Sequence, residues 1–150
     1  MSPAQPSPGD ELPALHIESI GAEPMKVMAL LLRDSNFIHF DVGTVRSLGM
    51  GERPVNQGPI NLGYVTRMVA VWAGAESAIE RLKVRFLANV FAGDHVVASG
   101  RVISVDTGDD AATVATCEVW LDLADGRRVV EGTATVRLTG RSRCAAATTP

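Results

Sequence analysis

Residues 58–72, Gly-Pro-Ile-Asn-Leu-Gly-Tyr-Val-Thr-Arg-Met-Val-Ala-Val-Trp, set apolar side chains on nearly every side of a helix, and Gly74 stops the run. A helix of that kind is normally buried. From Ala78 onward the pattern changes. Residues 79–90, 95–105, 113–123 and 128–138 are rich in β-branched and apolar residues, and Gly93-Asp94, Gly108-Asp109 and Asp125-Gly126 mark the turns between them. The simplest packing wraps four long antiparallel strands against one buried helix, an α+β arrangement.

Upstream of that helix, residues 11–20 read as a first strand broken at Gly21. Glu23-Pro24 then opens a helix in which Met25, Met28, Ala29 and Leu32 form a stripe at i, i+3, i+4 and i+7. Residues 42–48 suit a short helix, and Gly49 to Pro54 is a loop rich in breakers. A length of 150 residues fits one domain, over 11–139, between flexible tails at 1–10 and 140–150.

Charge and composition narrow the function classes. The net charge is -3 with scattered basic residues, so a nucleic-acid surface is not expected. No apolar run approaches the roughly 20 residues of a membrane-spanning helix, so no membrane partner is expected. The first ten residues have neither a basic n-region nor an apolar stretch, so they do not read as a signal peptide, and a cytoplasmic location is the default expectation. Cys117 in a strand-like run and Cys144 in an Ala/Thr tail fit free thiols. His16, His39 and His95 are far apart in sequence, with no Cys-x-x-Cys or His-Glu-x-x-His, so no metal site is expected.

The segment Asp34-Ser-Asn36-Phe37-Ile-His39-Phe-Asp41 carries the chemistry. It sets a carboxylate and an imidazole five residues apart. On a regular helix they would lie about 140° apart, so they share a substrate only if the backbone leaves the helix between them. Asn36 tolerates tight-turn and left-handed conformations and is the expected place for that departure. Each residue also has a plainer role: Asp34 as a cap, His39 as a core histidine, Gly58 as a helix N-cap, Asp41 as a cap for the short helix. Thr66 has the plainer role of bonding its own helix backbone. Arg67 and Arg85 suit either phosphate contacts or ordinary ion pairs.

Three blocks in order resemble the MaoC-like dehydratases, single-hotdog relatives of (R)-specific enoyl-CoA hydratases. They are Asp34-x-Asn36-x-Ile38-His39-x-Asp41, then Asn56-Gln57-Gly58 leading into the central helix, then Val84-Arg85-Phe86 with Val90-Phe91-Ala92-Gly93-Asp94. The resemblance implies a hotdog fold, an antiparallel sheet wrapped around the central helix. It also implies hydration of trans-2-enoyl thioesters, or dehydration of (R)-3-hydroxyacyl thioesters, carried by coenzyme A or an acyl carrier protein. Asp34 and His39 would hold the reacting water, Gly58 would give its backbone N–H to the thioester oxygen, and Asn36 would shape the loop. Thr66 would bring a hydroxyl near the Asp.

Phe37 stands where the family usually has Pro, and its ring would meet the acyl chain. No metal or redox cofactor is implied. A homodimer, or a heteromer with a second hotdog subunit, is the expected assembly. A non-catalytic acyl-binding subunit and a hotdog thioesterase are the alternative functions.

The chemistry asks for such an arrangement independently of the family. Adding water across an α,β-unsaturated thioester builds negative charge on the carbonyl oxygen, which needs donors already in place. A buried helix N-terminus has free N–H groups and a partial positive charge. A base and an acid must also stand together, and an ionised Asp beside a neutral His can serve one water.

Overall fold

The computed structural model describes residues 5–107 and 112–138. Strand β1 (Glu11–Ile17) leads to helix α1 (Ala22–Leu32), a 3-10 turn at Phe37–His39 and the short helix α2 (Val42–Ser47). The central helix α3 (Gly58–Ala73) follows, and then β2 (Ile79–Phe86), β3 (Val96–Thr107), β4 (Thr113–Leu123) and β5 (Arg128–Leu138). The five strands form one antiparallel sheet in the order β1-β3-β4-β5-β2. This is the hotdog arrangement expected from the sequence.

Strict alternation drives the sheet. In β3, Val96, Ala98, Gly100 and Val102 are buried while Arg101 and Ile103 face out. Those inward residues meet Val65, Met68, Val69, Trp72 and Ala73 of α3, which touches every strand. Burying each large apolar side chain in that core is worth about 1.5–3 kcal/mol. The sheet covers one side of α3 only. Gly63, Arg67 and Val71, spaced four apart, stay exposed, so the helix is less fully enclosed than its composition suggests. Gly74 ends it in the left-handed region at φ 86°, its N–H donating to the Ala70 carbonyl at 2.8 Å.

Three expected boundaries shift. β1 stops at Ile17, and Ile20 instead exchanges backbone hydrogen bonds with the tight turn at Gly93 and Asp94. β2 stops at Phe86, and by Val90 the chain has turned to accept a hydrogen bond from the Asn56 N–H. Within the expected tail at 1–10, Pro6 is buried, and Gly9 and Asp10 exchange backbone hydrogen bonds with Val102, continuing the pairing of β1 on β3. The Gly108-Asp109 turn, Cys144 and the tail at 140–150 lie outside the described residues.

Two interior positions are constrained. A Cβ on Gly132 of β5 would fall 2.0 Å from the Lys83 carbonyl oxygen of β2, so only glycine lets these strands lie together there. Cys117 of β4 is buried and free, and burial pushes its thiol up to about 11.

Candidate active site

Helix α1 ends at Arg33, whose left-handed conformation (φ 52°, ψ 38°) turns the chain out of the helix. The Asp34 N–H closes the end by donating to the Ala29 carbonyl at 2.8 Å. The departure expected at Asn36 therefore occurs three residues earlier. Asn36 itself is extended at φ -75° and ψ 106°. Its part is different: Asn36 Oδ1 accepts from the Ile38 N–H at 3.3 Å and caps the 3-10 turn. Just before it, Asp34 Oδ1 accepts from the Asn36 N–H at 3.0 Å. Two successive side-chain turns thus replace helical bonds once α1 stops, and they carry His39 round to Asp34.

His39 Nδ1 lies 2.7 Å from the Val55 carbonyl oxygen. A carbonyl can only accept, so Nδ1 carries a proton and donates it there, and Nε2 is the ring nitrogen left without a protein hydrogen bond. That nitrogen faces Asp34 Oδ2 at 3.4 Å. The histidine side chain is 11% exposed and the aspartate 29%, so the ring is held in the protein while the carboxylate reaches solvent. A carboxylate and an imidazole nitrogen that close share either a proton or a water between them. A water about 2.8 Å from each would see them at about 75°, so a slight opening of the pair straightens both hydrogen bonds.

Val55 does more than orient the ring. Its N–H donates to the Ile38 carbonyl at 2.9 Å, and on either side of it the Asn56 N–H donates to Val90 and Pro54 accepts from Ala92. Gln57, buried, donates Nε2 to the Met25 carbonyl of α1 at 2.9 Å. The segment 54–57 is therefore bound to α1, to the turn bearing His39 and to residues 90–92 before α3 begins.

Three residues beyond Val55, at most about 11 Å along the chain, α3 starts at Gly58. Its first turn offers fewer donors than a bare helix end. Pro59 has no N–H, and those of Ile60 and Asn61 already donate to the Gln57 carbonyl at 3.0 and 3.2 Å. The Gly58 N–H has no hydrogen-bond partner among the described residues, so a single donor remains. The Phe86 ring, half exposed at the end of β2, comes to 3.3 Å from where a Gly58 Cβ would stand. Asn56 and Asn61, both buried, bond to each other beneath this turn at 2.7 Å.

Beside Asp34 opens a mostly apolar cleft of about 560 Å³, lined by Ala29, Leu30, Arg33 and Phe40 among others. A second, of about 750 Å³, runs between α1 and α3 past Val27, Leu31, Ile60 and Tyr64, with Arg67 on its lining. Both fall in the size range of small-molecule sites. The aromatic ring on the first cleft is Phe40. Phe37 is exposed and packs against Phe40 with ring centroids 5.2 Å apart, so it buttresses that wall from outside.

The remaining candidates have other partners. The Thr66 hydroxyl donates to its own helix at the Leu62 carbonyl, 2.9 Å away. Arg85 pairs with Glu131, and Asp41 caps α2 through the Thr44 N–H. The hydrogen bond from the Thr44 hydroxyl, followed by this one from its N–H, holds the Asp41 carboxyl below its ordinary value. Val55, Gln57, Phe40 and Phe86 were not singled out as functional residues in the sequence, although Gln57, Phe40 and Phe86 lie within its motif blocks and Val55 directly precedes one.

The sequence matches the family described as "MaoC like domain" over residues 16–120. No protein of curated function matches it. Among solved structures, the (R)-hydratase from A. caviae involved in PHA biosynthesis aligns with a TM-score of 0.78 at 22% identity, covering 91% of this chain and 100% of that one. A chain of the ChsH1-ChsH2 complex from Mycobacterium tuberculosis aligns at 0.75 and 24% identity, covering 90% and 100%. A chain of the HadBC (3R-hydroxyacyl-ACP dehydratase) complex from the same organism aligns at 0.68 and 17%, covering 87% and 96%. At these identities the structural likeness is one of fold.

Proposed function

The chain belongs to the MaoC like domain family, and on that premise we propose that it is a hydro-lyase, adding water to trans-2-enoyl thioesters and removing it from (R)-3-hydroxyacyl thioesters. The observation that carries this reading is the orientation of His39. Its Nδ1 proton is committed to Val55, so in the neutral ring Nε2 and the Asp34 carboxylate are two acceptors aimed at one place. A water there gives one hydrogen to each and keeps an oxygen lone pair for carbon.

In the forward reaction that lone pair forms the bond to C3, and the alkene electrons move onto the thioester oxygen as an enolate. One water proton passes to the Asp34–His39 pair and is returned to C2, while the other stays on the new hydroxyl. The Gly58 N–H at the start of α3 is the donor for the enolate oxygen, helped by the partial positive charge of the helix end. The cleft beside Asp34 and the groove between α1 and α3 supply apolar walls for the acyl chain. Coenzyme A and carrier-protein thioesters share this reacting group.

Assembly follows the relatives: ChsH1-ChsH2 and HadBC are complexes. This chain keeps both Asp34 and His39, so it is the catalytic partner in a homodimer or a heteromer with a second hotdog subunit. Incubating the purified chain with crotonyl-CoA and longer enoyl-CoA thioesters, and following the loss of enoyl-thioester absorbance, tests the reading. Asp34→Asn is expected to retain its melting temperature and lose turnover by about 10²–10⁴-fold. Wild-type rates in that variant overturn the proposal, and binding without turnover in the wild type points to an acyl-binding subunit.

A further inference from the structure

Outside the Asp34 site, β1 and β3 bring together two of the three histidines, which are far apart in the sequence. Leu15, Ile17, Val96 and Ala98 pack on the core, so alternation puts His16, Glu18 and His95 on the opposite face of the sheet. The register sets His16 against Val97 and Ile17 against Val96, and one further step places Glu18 beside His95. The two imidazole rings lie 5.9 Å apart, tilted by 58°. His95 Nδ1 stands 3.6 Å from Glu18 Oε2, beyond a normal hydrogen bond.

His95 is not a histidine satisfied by the fold. Its Nε2 is buried with no partner, and its Nδ1 looks toward a carboxylate without bonding it. One donor atom from each of His16, Glu18 and His95 falls within 4.8 Å of the others. In a tetrahedral zinc site, bonds of about 2.0–2.1 Å set donors about 3.3 Å apart. Closing that gap takes small rotations of His16 and Glu18, both exposed and free to turn.

We infer that His16, Glu18 and His95 bind a divalent transition cation of the Zn²⁺ kind, with two imidazoles and a carboxylate as ligands. Imidazole nitrogens select zinc, copper or nickel over magnesium or calcium. The cation clasps the edge strand β1 to β3 and shares no residue with the Asp34–His39 pair.

The test is calorimetric titration of ZnCl₂ into the tag-free, chelator-treated full chain, with a melting curve at each end. One Zn²⁺ per chain and a higher melting temperature are expected. His16→Ala and His95→Gln should each weaken binding at least tenfold. His39→Asn should leave it unchanged, which separates this site from the catalytic pair. Because His16 is exposed, His16→Ala keeps the test decisive even where His95→Gln impairs folding. No saturable binding, or binding that survives His16→Ala or is lost in His39→Asn, overturns the inference.

Discussion

His39 gives its Nδ1 proton to the carbonyl of Val55, 2.7 Å away, and that bond decides which nitrogen meets Asp34. Removing the ring has two separable effects. In His39→Ala, hydratase turnover should fall by about 10²–10⁴-fold, the usual worth of positioned proton transfer. The chain should also lose about 1–3 kcal/mol of stability, because the buried Val55 carbonyl loses its partner. Urea unfolding and initial rates measure the two losses independently. Full stability with full activity would show that the ring serves neither purpose.

The Phe86 ring stands beside Gly58 at the start of α3, 3.3 Å from where a Cβ would be if the residue were not glycine. The ring is half exposed and can swing aside, so Gly58→Ala should cost little stability. Turnover should suffer more, since the methyl group and the displaced ring crowd the single free N–H. At least a tenfold fall in kcat/KM is expected, equivalent to about 1.4 kcal/mol. Adding Phe86→Ala should recover part of it, and a Gly58→Ala enzyme with unchanged kcat/KM would remove this N–H from the reaction.

Gly132 tests the sheet. A methyl group there would overlap the Lys83 carbonyl at 2.0 Å, a backbone atom that moves only if β2 moves. Gly132→Ala should therefore destabilise the chain by more than about 2 kcal/mol, well beyond an ordinary surface change. A melting temperature within a degree of wild type would contradict the close approach of β2 and β5.

Cys117 gives a pH dependence of known sign. Burial pushes its thiol up to about 11, whereas an unfolded chain releases that proton near about 8.5. Above about 8.5 the folded state holds a proton that the unfolded state has lost, so this group's contribution to stability falls as pH rises toward about 11. With Cys144 replaced by serine, a thiol-specific reagent at pH 8 should modify the chain only after denaturation. Rapid reaction of the native protein would show that Cys117 is open to solvent.

How much of this was legible in the sequence depended on range. The strands after Ala78 were readable because turn residues punctuate a two-residue period, and α3 because Gly74 closes an apolar run. Asp34 and His39 were readable as a local pair. Their supports were not, since Val55 lies 16 residues from His39, and Met25 lies 32 from Gln57. The left-handed residue was misplaced for a physical reason. Asn36 tolerates that conformation more readily than Arg33, yet it is Arg33 that occupies the C-cap, where the closing Asp34 bond offsets its cost. The pairing of Gly9 and Asp10 with Val102 carried no local signal, because it depends on where β3 lies.

The segment 54–57 has a thermodynamic consequence. It hydrogen-bonds to α1, to the His39 turn and to residues 90–92, so it has no cheap way to open by itself. The amides of Val55 and Asn56 should then exchange with solvent only when the whole molecule unfolds. Disassembly of the Asp34–His39 pair and denaturation become one event: each loss of about 1.4 kcal/mol anywhere in the core raises the disassembled fraction about tenfold, and loss of the pair on heating should follow the melting curve.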